Sequence, residues 1–367
     1  MPKSATIFSG IPAQLLIATI VVGVGMAAVS LLEYTAFDWH PAREEPAGFT
    51  PYHFGRMAVS ALLAIILVAA CAKPWLAEQL PARKKLWPAE MRNGIVVAAI
   101  AAAAVAILAW NPNLFHWFAR EDNVLEWLSA LFILIGALFF LYAAARSSRQ
   151  GVSGPGKFFS TLLIPIGFAG LFFLIGMEEI SWGQRLLGFE TPESLAERNW
   201  QQEFNFHNIH TDLFELAYYL GTGAFLIILP LAAPPLRSWP AFDFFADFVP
   251  NRSVAMLTAP GVIFSYGHWN LVPLQFLTFA TLFAMLIFAV SAKRDGRTGE
   301  YRLFGAVAAL IAIGQLIVLL YGPQMLDVPD ATEFRELFIS IGLFAFAAYY
   351  AFDVAAPDTG KSKAKPD

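Results

Sequence analysis

Long apolar stretches alternate with short polar segments along nearly the whole chain. A helix that crosses a bilayer needs about 20 apolar residues, and ten stretches reach or approach that length. They cover residues 11–32, 57–78, 93–111, 124–145, 157–177, 212–232, 253–268, 271–292, 302–322 and 333–353. The pattern predicts an all-α fold, a polytopic transmembrane helical bundle of about ten spans. The stretch 253–268 is short and contains Pro260, so a re-entrant path that turns back inside the membrane is the alternative for it.

Positive charges fall unequally on the two sides that ten spans define. With the N-terminus in the cytoplasm, the cytoplasmic segments hold seventeen lysines and arginines and the opposite segments hold six, leaving Lys3 aside. Cytoplasmic loops are enriched in these residues, so the bias predicts that both termini are cytoplasmic. Residues 1–356 then form one transmembrane domain with an outer segment at 178–211, and the polar residues 357–367 form a disordered cytoplasmic tail.

The composition is that of a membrane protein. Hydrophobic residues make up 57% of the chain and charged residues 14%, whereas soluble domains have about 45–50% apolar and about 25% charged residues. The net charge of −4, without a basic, aromatic-rich surface, excludes nucleic acid as a partner. Cys71 is the single cysteine and lies in an apolar stretch, so the chain has neither an intrachain disulfide framework nor a redox motif.

The fifth stretch ends in two adjacent carboxylates, Glu178 and Glu179. Helix-compatible sequence continues beyond them, which would place Glu178, Ser181, Trp182 and Arg185 on one helical face at i, i+3, i+4 and i+7. Carboxylates at the end of a span are costly unless they are paired, bound to a metal or solvated. Glu178, Glu179 and Arg185 are therefore predicted catalytic residues. The alternative is that Arg185 only neutralises one carboxylate while Trp182 anchors the helix at the interface.

The second motif precedes the sixth stretch and contains Glu203, His207 and His210. In a helix the two histidines would be neighbours at i, i+3, with the carboxylate one turn earlier. Imidazole and carboxylate groups are ligands for divalent metals such as Zn or Fe, so these three residues are predicted metal ligands. The alternative is a helix cap at Asn208 or Thr211, with the histidines bonded locally at the interface.

Two further stretches begin with acids. Asn123 and Glu126 have the spacing of a capping box, and so do Asp330 and Glu333. Glu126 lies one turn deeper than a cap requires, and Glu336 does the same at the last stretch. Glu126 is therefore a fourth predicted catalytic residue. It is expected to converge with Glu178, Glu179 and at least one of His207 or His210 in one outer pocket.

Four segments carry a family resemblance. They are Arg-Glu-Asp with Glu-Trp at 120–127, Glu-Glu-Ile-Ser-Trp-Gly-Gln-Arg at 178–185, Thr-Pro-Glu at 191–193, and Glu-Phe-Asn-x-His-Asn at 203–208. Together they cover about a quarter of the chain, and the combination resembles a family of bacterial multi-pass membrane proteins that has no assigned activity. The resemblance implies a location in the bacterial inner membrane.

The membrane-embedded CAAX-type proteases offer a second comparison. Their Glu-Glu-x-x-x-Arg motif is similar to the segment that begins at Glu178, but here the arginine, Arg185, stands two residues too far along. Phe264 and His268 fit the second motif of those proteases, and no later histidine supplies the third. This comparison is the weaker of the two.

Three functions are consistent with the sequence. The first is a membrane enzyme, metal-assisted or using acid–base chemistry, whose outer site acts on a lipid or lipid-linked substrate and whose Arg185 holds an anionic head group. The second is a structural or assembly subunit that docks another membrane protein through residues 178–211. The third is a transporter, against which the scarcity of polar residues at mid-membrane argues.

Overall fold

The computed structural model describes residues 11–37, 48–77, 85–120, 123–151, 154–199, 201–265, 271–321 and 332–355. In this part every regular element is a helix, which confirms the predicted all-α membrane fold. The residues Glu121, Asp122, His268 and Asp330 and the predicted tail 357–367 lie outside it.

Nine of the described helices are long and apolar enough to cross a membrane. They are α1 (Ala13–Ala36), α2 (Pro51–Leu76), α3 (Pro88–Trp110), α4 (Val124–Arg149), α5 (Pro155–Glu179), α6 (Leu213–Leu236), α8 (Val272–Arg294), α9 (Thr298–Tyr321) and α10 (Glu333–Val354). A shorter apolar helix, α7 (Arg252–Phe264), corresponds to the doubtful tenth stretch.

Helices α2 and α8 run parallel to each other. Ser60 donates to Gln275 at 3.1 Å early in both helices, and Arg294 at the end of α8 donates to the Leu76 carbonyl at the end of α2. Helix α6 also ends at this end of the bundle, because the Trp75 indole donates to the Leu231 carbonyl at 2.7 Å. The chain therefore has to return through the bundle between α6 and α8.

Helix α7 lies between these two points in the chain. It is α-helical to Thr258 and then narrows to a 3-10 helix over Ala259–Phe264, which lengthens the rise per residue. All thirteen residues of α7 are buried in protein, so its backbone never faces lipid. The carbonyls of its last turn are supported from α9, where Gln315 donates to Val262 at 3.0 Å.

Helix α7 has thirteen residues, whereas a helix that spans a bilayer needs about 20. The count of ten crossings and the cytoplasmic location of the termini therefore stay predictions. In a Cys71→Ala background, single cysteines at Gln150 and Thr298, both exposed, test them. If α7 crosses, both cysteines are cytoplasmic, and an impermeant maleimide labels them only after the cells are opened. Labelling of Thr298→Cys in intact cells, with Gln150→Cys protected, would show instead that α7 turns back.

Candidate functional site

Four carboxyl groups meet where four helices come together at one end of the bundle. The carboxyl group of Glu179 at the end of α5 lies beside that of Glu336 in the first turn of α10. Glu126 of α4 and Glu215 of α6 lie close enough to act electrostatically on Glu179. All four residues are partly buried, and we call them the acid cluster.

The helix starts explain how two of these acids are positioned. At the start of α4, the Asn123 side chain accepts a hydrogen bond from the Val124 N–H at 2.8 Å and donates one to the Trp117 carbonyl at 2.7 Å. This cap fixes the first turn, in which Glu126 lies. Glu336 has the equivalent place in α10. A helix N-terminus carries a partial positive charge that favours carboxylates, so both acids are tolerated here.

A hydrogen bond between two carboxyl groups has a chemical requirement. An ionised carboxylate only accepts hydrogen bonds, so Glu179 and Glu336 can bond to each other only when one of them carries a proton. The Tyr219 hydroxyl donates to Glu336 Oε1 at 2.7 Å and holds that carboxyl in place. The buried hydroxyl of Tyr218, close enough to act on both glutamates, has no hydrogen-bond partner within the described residues. We call Glu179 and Glu336 the dyad, and a second tyrosine hydroxyl lies beside it.

Arg335 lies on the other side of the same tyrosine. Its guanidinium carbon is 3.8 Å from the centroid of the Tyr219 ring, and its Nε donates to the Phe264 carbonyl at 3.2 Å. The residue is 2% exposed, yet Nη1 and Nη2 have no hydrogen-bond partner in the described part of the chain. One aromatic ring thus separates an unpaired cation from the dyad.

Glu178 belongs to a different network from its neighbour Glu179. Its Oε1 accepts a hydrogen bond from the Trp182 indole at 2.6 Å, and its Oε2 accepts from the backbone N–H of Phe206 at 2.7 Å and of His207 at 3.1 Å. The Nδ1 atom of His207 lies 3.4 Å from the same Oε2. Glu178 therefore holds Phe206 and His207 of the outer segment against the end of α5.

Glu203 forms a second set of contacts between the outer segment and the turn after α5. Glu203 Oε1 pairs with Arg185 at 2.5 Å, while its Oε2 accepts from the Ser181 hydroxyl and from the Asn205 amide. The Arg185 side chain is 53% exposed, so the ion pair is at the surface, where such pairs contribute little stability.

The expected continuation of the helix past Glu179 was wrong. Helix α5 ends there, and Ser181, Trp182 and Gly183 take positive φ angles of 46°, 57° and 74°. Glu178, Ser181, Trp182 and Arg185 therefore do not share a helical face. The side-chain hydrogen bonds to Glu178 and Glu203 hold the turn in a conformation that costs about 1–3 kcal/mol for each non-glycine residue.

The two histidines are likewise not neighbours on a helix. His207 begins a single 3-10 turn that ends at Ile209, and His210 has φ −139°, which breaks the helical path. The His210 carbonyl accepts the first hydrogen bonds of the next helix, from Leu213 and Phe214, while its side chain is exposed. Among the described residues, no group of three or more His, Cys, Asp or Glu side chains is arranged to hold a metal ion. The predicted ligands Glu203, His207 and His210 thus do not form a metal centre there.

Of the residues at this junction, the sequence predicted Glu126 and Glu179 as site residues. It did not predict Glu215, Tyr218, Tyr219 and Arg335. A signal for three of these was available. Glu215, Tyr218 and Tyr219 recur at i, i+3 and i+4 in the apolar sequence of α6, the spacing of one helical face. Polar groups on one face of a spanning helix point toward the bundle interior.

Comparisons with protein-family models, with curated proteins and with solved structures found no match for this chain. The resemblance in the four segments at 120–127, 178–185, 191–193 and 203–208 therefore stays an expectation.

Proposed function

We propose that this protein is an integral membrane enzyme that performs acid–base chemistry on a lipid or lipid-linked substrate. The observation that carries the proposal is the close approach of the carboxyl groups of Glu179 and Glu336 at the junction of α5 and α10. Carboxyls this close share a proton, since two like charges at that distance cannot both be ionised, and such a dyad holds one acid and one base side by side. The ends of the bundle are where the polar part of a membrane substrate lies.

The dyad supplies both halves of a proton-transfer reaction. The carboxyl that lacks the proton removes one from a nucleophile, and the partner that holds it donates it to the leaving group. Tyr219 positions Glu336 through its hydroxyl, and the Tyr218 hydroxyl is a donor for a negative charge that develops on the substrate. General acid–base catalysis of this kind contributes about 10²–10⁴-fold to a rate.

The polar groups of the described spans do not favour transport. Carboxylates and histidines of the spanning helices lie near their ends rather than at mid-depth. Of the deeper polar side chains, Ser60 bonds to Gln275, Gln315 bonds to carbonyls of α7, and Thr278 and Thr281 bond to carbonyls one turn earlier. These are structural contacts that support helix packing.

One observation favours the docking alternative. Leu186 and Leu187 of the outer segment are 71% and 76% exposed, so they present apolar surface to a partner protein. If docking is the function, Leu186→Ser with Leu187→Ser abolishes it, and Glu179→Gln leaves it unchanged. The enzyme proposal expects the reverse.

The first test is genetic. A strain of the native host that lacks the gene should accumulate the substrate, which mass spectrometry of its lipid extract detects. We expect wild type to reverse the accumulation and Glu179→Gln or Glu336→Gln to lose about 10²–10⁴-fold in turnover at equal amounts of folded protein. The control is Glu193→Gln, an exposed acid of the outer segment, which should behave as wild type. Full complementation by both dyad variants would contradict the proposal.

The second test needs no substrate. Infrared spectroscopy of the purified protein should show the C=O stretch of a protonated carboxyl, shifted in D₂O. Each single replacement leaves one carboxyl without its proton-sharing partner, so the band should disappear in Glu179→Gln and in Glu336→Gln and persist in Glu193→Gln. If wild type lacks the band, the dyad does not hold a proton.

A further inference from the structure

Arg335 differs from the other buried arginines of the described chain. Arg56 and Arg252 are 4% and 7% exposed, and each pairs with a carboxylate, Glu33 at 2.6 Å and Glu300 at 2.8 Å. Arg335 is more deeply buried, at 2% exposure, and has no ion pair within the described residues.

An unpaired buried guanidinium is expensive. Arginine stays protonated in proteins, and burying a charge without a partner costs several kcal/mol. Only Nε has an acceptor, the Phe264 carbonyl. The four N–H groups on Nη1 and Nη2 are left as a planar fork, the geometry that binds carboxylate and phosphate oxygens in pairs.

The ring of Tyr219 fixes the direction of this fork. It stacks under the guanidinium, while its hydroxyl bonds to Glu336. A ligand oxyanion on Arg335 would therefore lie one ring away from the dyad, close enough for the same molecule to reach both. The location at the first turn of a spanning helix suits an amphiphile, whose charged head lies at the bundle end and whose tail lies in the membrane.

We propose that Arg335 anchors a subsite for an oxyanion carried on a membrane amphiphile, with the phosphate of a lipid head group as the expected form. Its role in catalysis rests on the proposed function, since it names the part of the substrate that is held while the dyad reacts. The binding itself depends only on Arg335 and on the ring of Tyr219.

The test measures melting temperature in a neutral detergent as a probe is added. The probes are phosphatidic acid, phosphatidylcholine as the lipid with no net charge, and inorganic phosphate. We expect a concentration-dependent rise with phosphatidic acid in wild type, a smaller rise in Arg335→Lys, which keeps the charge but loses the fork, and none in Arg335→Gln. If inorganic phosphate raises the melting temperature as much as phosphatidic acid does, the ligand need not be an amphiphile. If phosphatidic acid raises the melting temperature of Arg335→Gln as much as that of wild type, or does not raise that of wild type, the subsite proposal is wrong.

Two further variants separate this inference from the proposed function. Glu179→Gln should lose turnover and keep the response to phosphatidic acid. Tyr219→Phe keeps the ring under Arg335 and removes the hydroxyl from Glu336, so it should also keep the response. Without probe, Arg335→Gln should melt close to wild type, because the removal of an uncompensated charge offsets the loss of the hydrogen bond to the Phe264 carbonyl. A large drop in its melting temperature would show that the guanidinium is already paired and would overturn the subsite.

Discussion

Replacing Arg252 by methionine should lower the free energy of unfolding by about 3–5 kcal/mol. Arg252 and Glu300 pair at 2.8 Å, and their side chains are 7% and 3% exposed. Glu300 also accepts a hydrogen bond from the Leu86 N–H at 2.8 Å and pairs with Arg297. Removing Arg252 strands part of a buried charge at the junction of α7 and α9. Equilibrium unfolding in mixed micelles measures the loss.

Arg185→Ala is the control for this prediction. Its pair with Glu203 has the same chemistry at 2.5 Å, but the arginine side chain is 53% exposed, so the loss should stay under about 1 kcal/mol. Adding Glu300→Gln to Arg252→Met neutralises the stranded carboxylate and keeps an acceptor for Leu86, and should recover part of the stability. Equal losses for Arg185→Ala and Arg252→Met would refute burial as the cause.

Gly342→Ala should destabilise the protein by about 1–3 kcal/mol, the usual cost of overpacking. A Cβ at this position would overlap Thr258 Oγ1 and lie 3.0 Å from Thr258 Cβ and 3.1 Å from Leu226 Cδ1. Thr258 is 2% exposed and its hydroxyl donates to the Val254 carbonyl at 2.9 Å, so it cannot move aside freely. The same unfolding titration measures the effect.

Gly170→Ala on α5 is the matched control, since a Cβ there meets nothing within 4 Å. Alanine has the better helix propensity by about 1 kcal/mol, so this change should be neutral or slightly stabilising. Thr258→Ala in the Gly342→Ala background removes the worst overlap and should restore part of the loss. If both glycines respond alike, close packing between α7 and α10 does not explain the result.

The predictable part of the fold is the part that hydropathy determines. A spanning helix satisfies its own backbone and shows an apolar face to lipid, so each of the nine long helices is visible in the sequence as an apolar stretch. Helix α7 was the doubtful stretch because protein surrounds it and no length rule for lipid applies. The end of α5 was predicted wrongly because the turn depends on Glu203, which is distant in sequence and accepts from Ser181, together with Glu178, which accepts from Trp182.

Only some residues of the candidate site could be predicted from the sequence, for a related reason. Glu178 and Glu179 are adjacent, so their side chains leave the helix about 100° apart, and the sequence offered no way to assign them to different networks. Glu215 and Arg335 belong to the site because helices α6 and α10 meet there: both residues lie near Tyr219 of α6. The acceptor of Arg335, the Phe264 carbonyl, comes from a third helix, α7. The spacing of residues along one helix does not show which residues of four different helices meet in the structure.

The burial of α7 also constrains how the protein is made. Its Phe264 carbonyl is satisfied by Arg335, 71 residues later in the chain, which at about 5–20 residues per second means a delay of roughly 4–14 s. The carbonyls of Val262 and Ile263 likewise wait for Gln315. An unsatisfied backbone group in hydrocarbon costs several kcal/mol, so α7 cannot partition into lipid as it leaves the ribosome. We therefore expect its integration to be a late step of biogenesis, after the last two helices have been made.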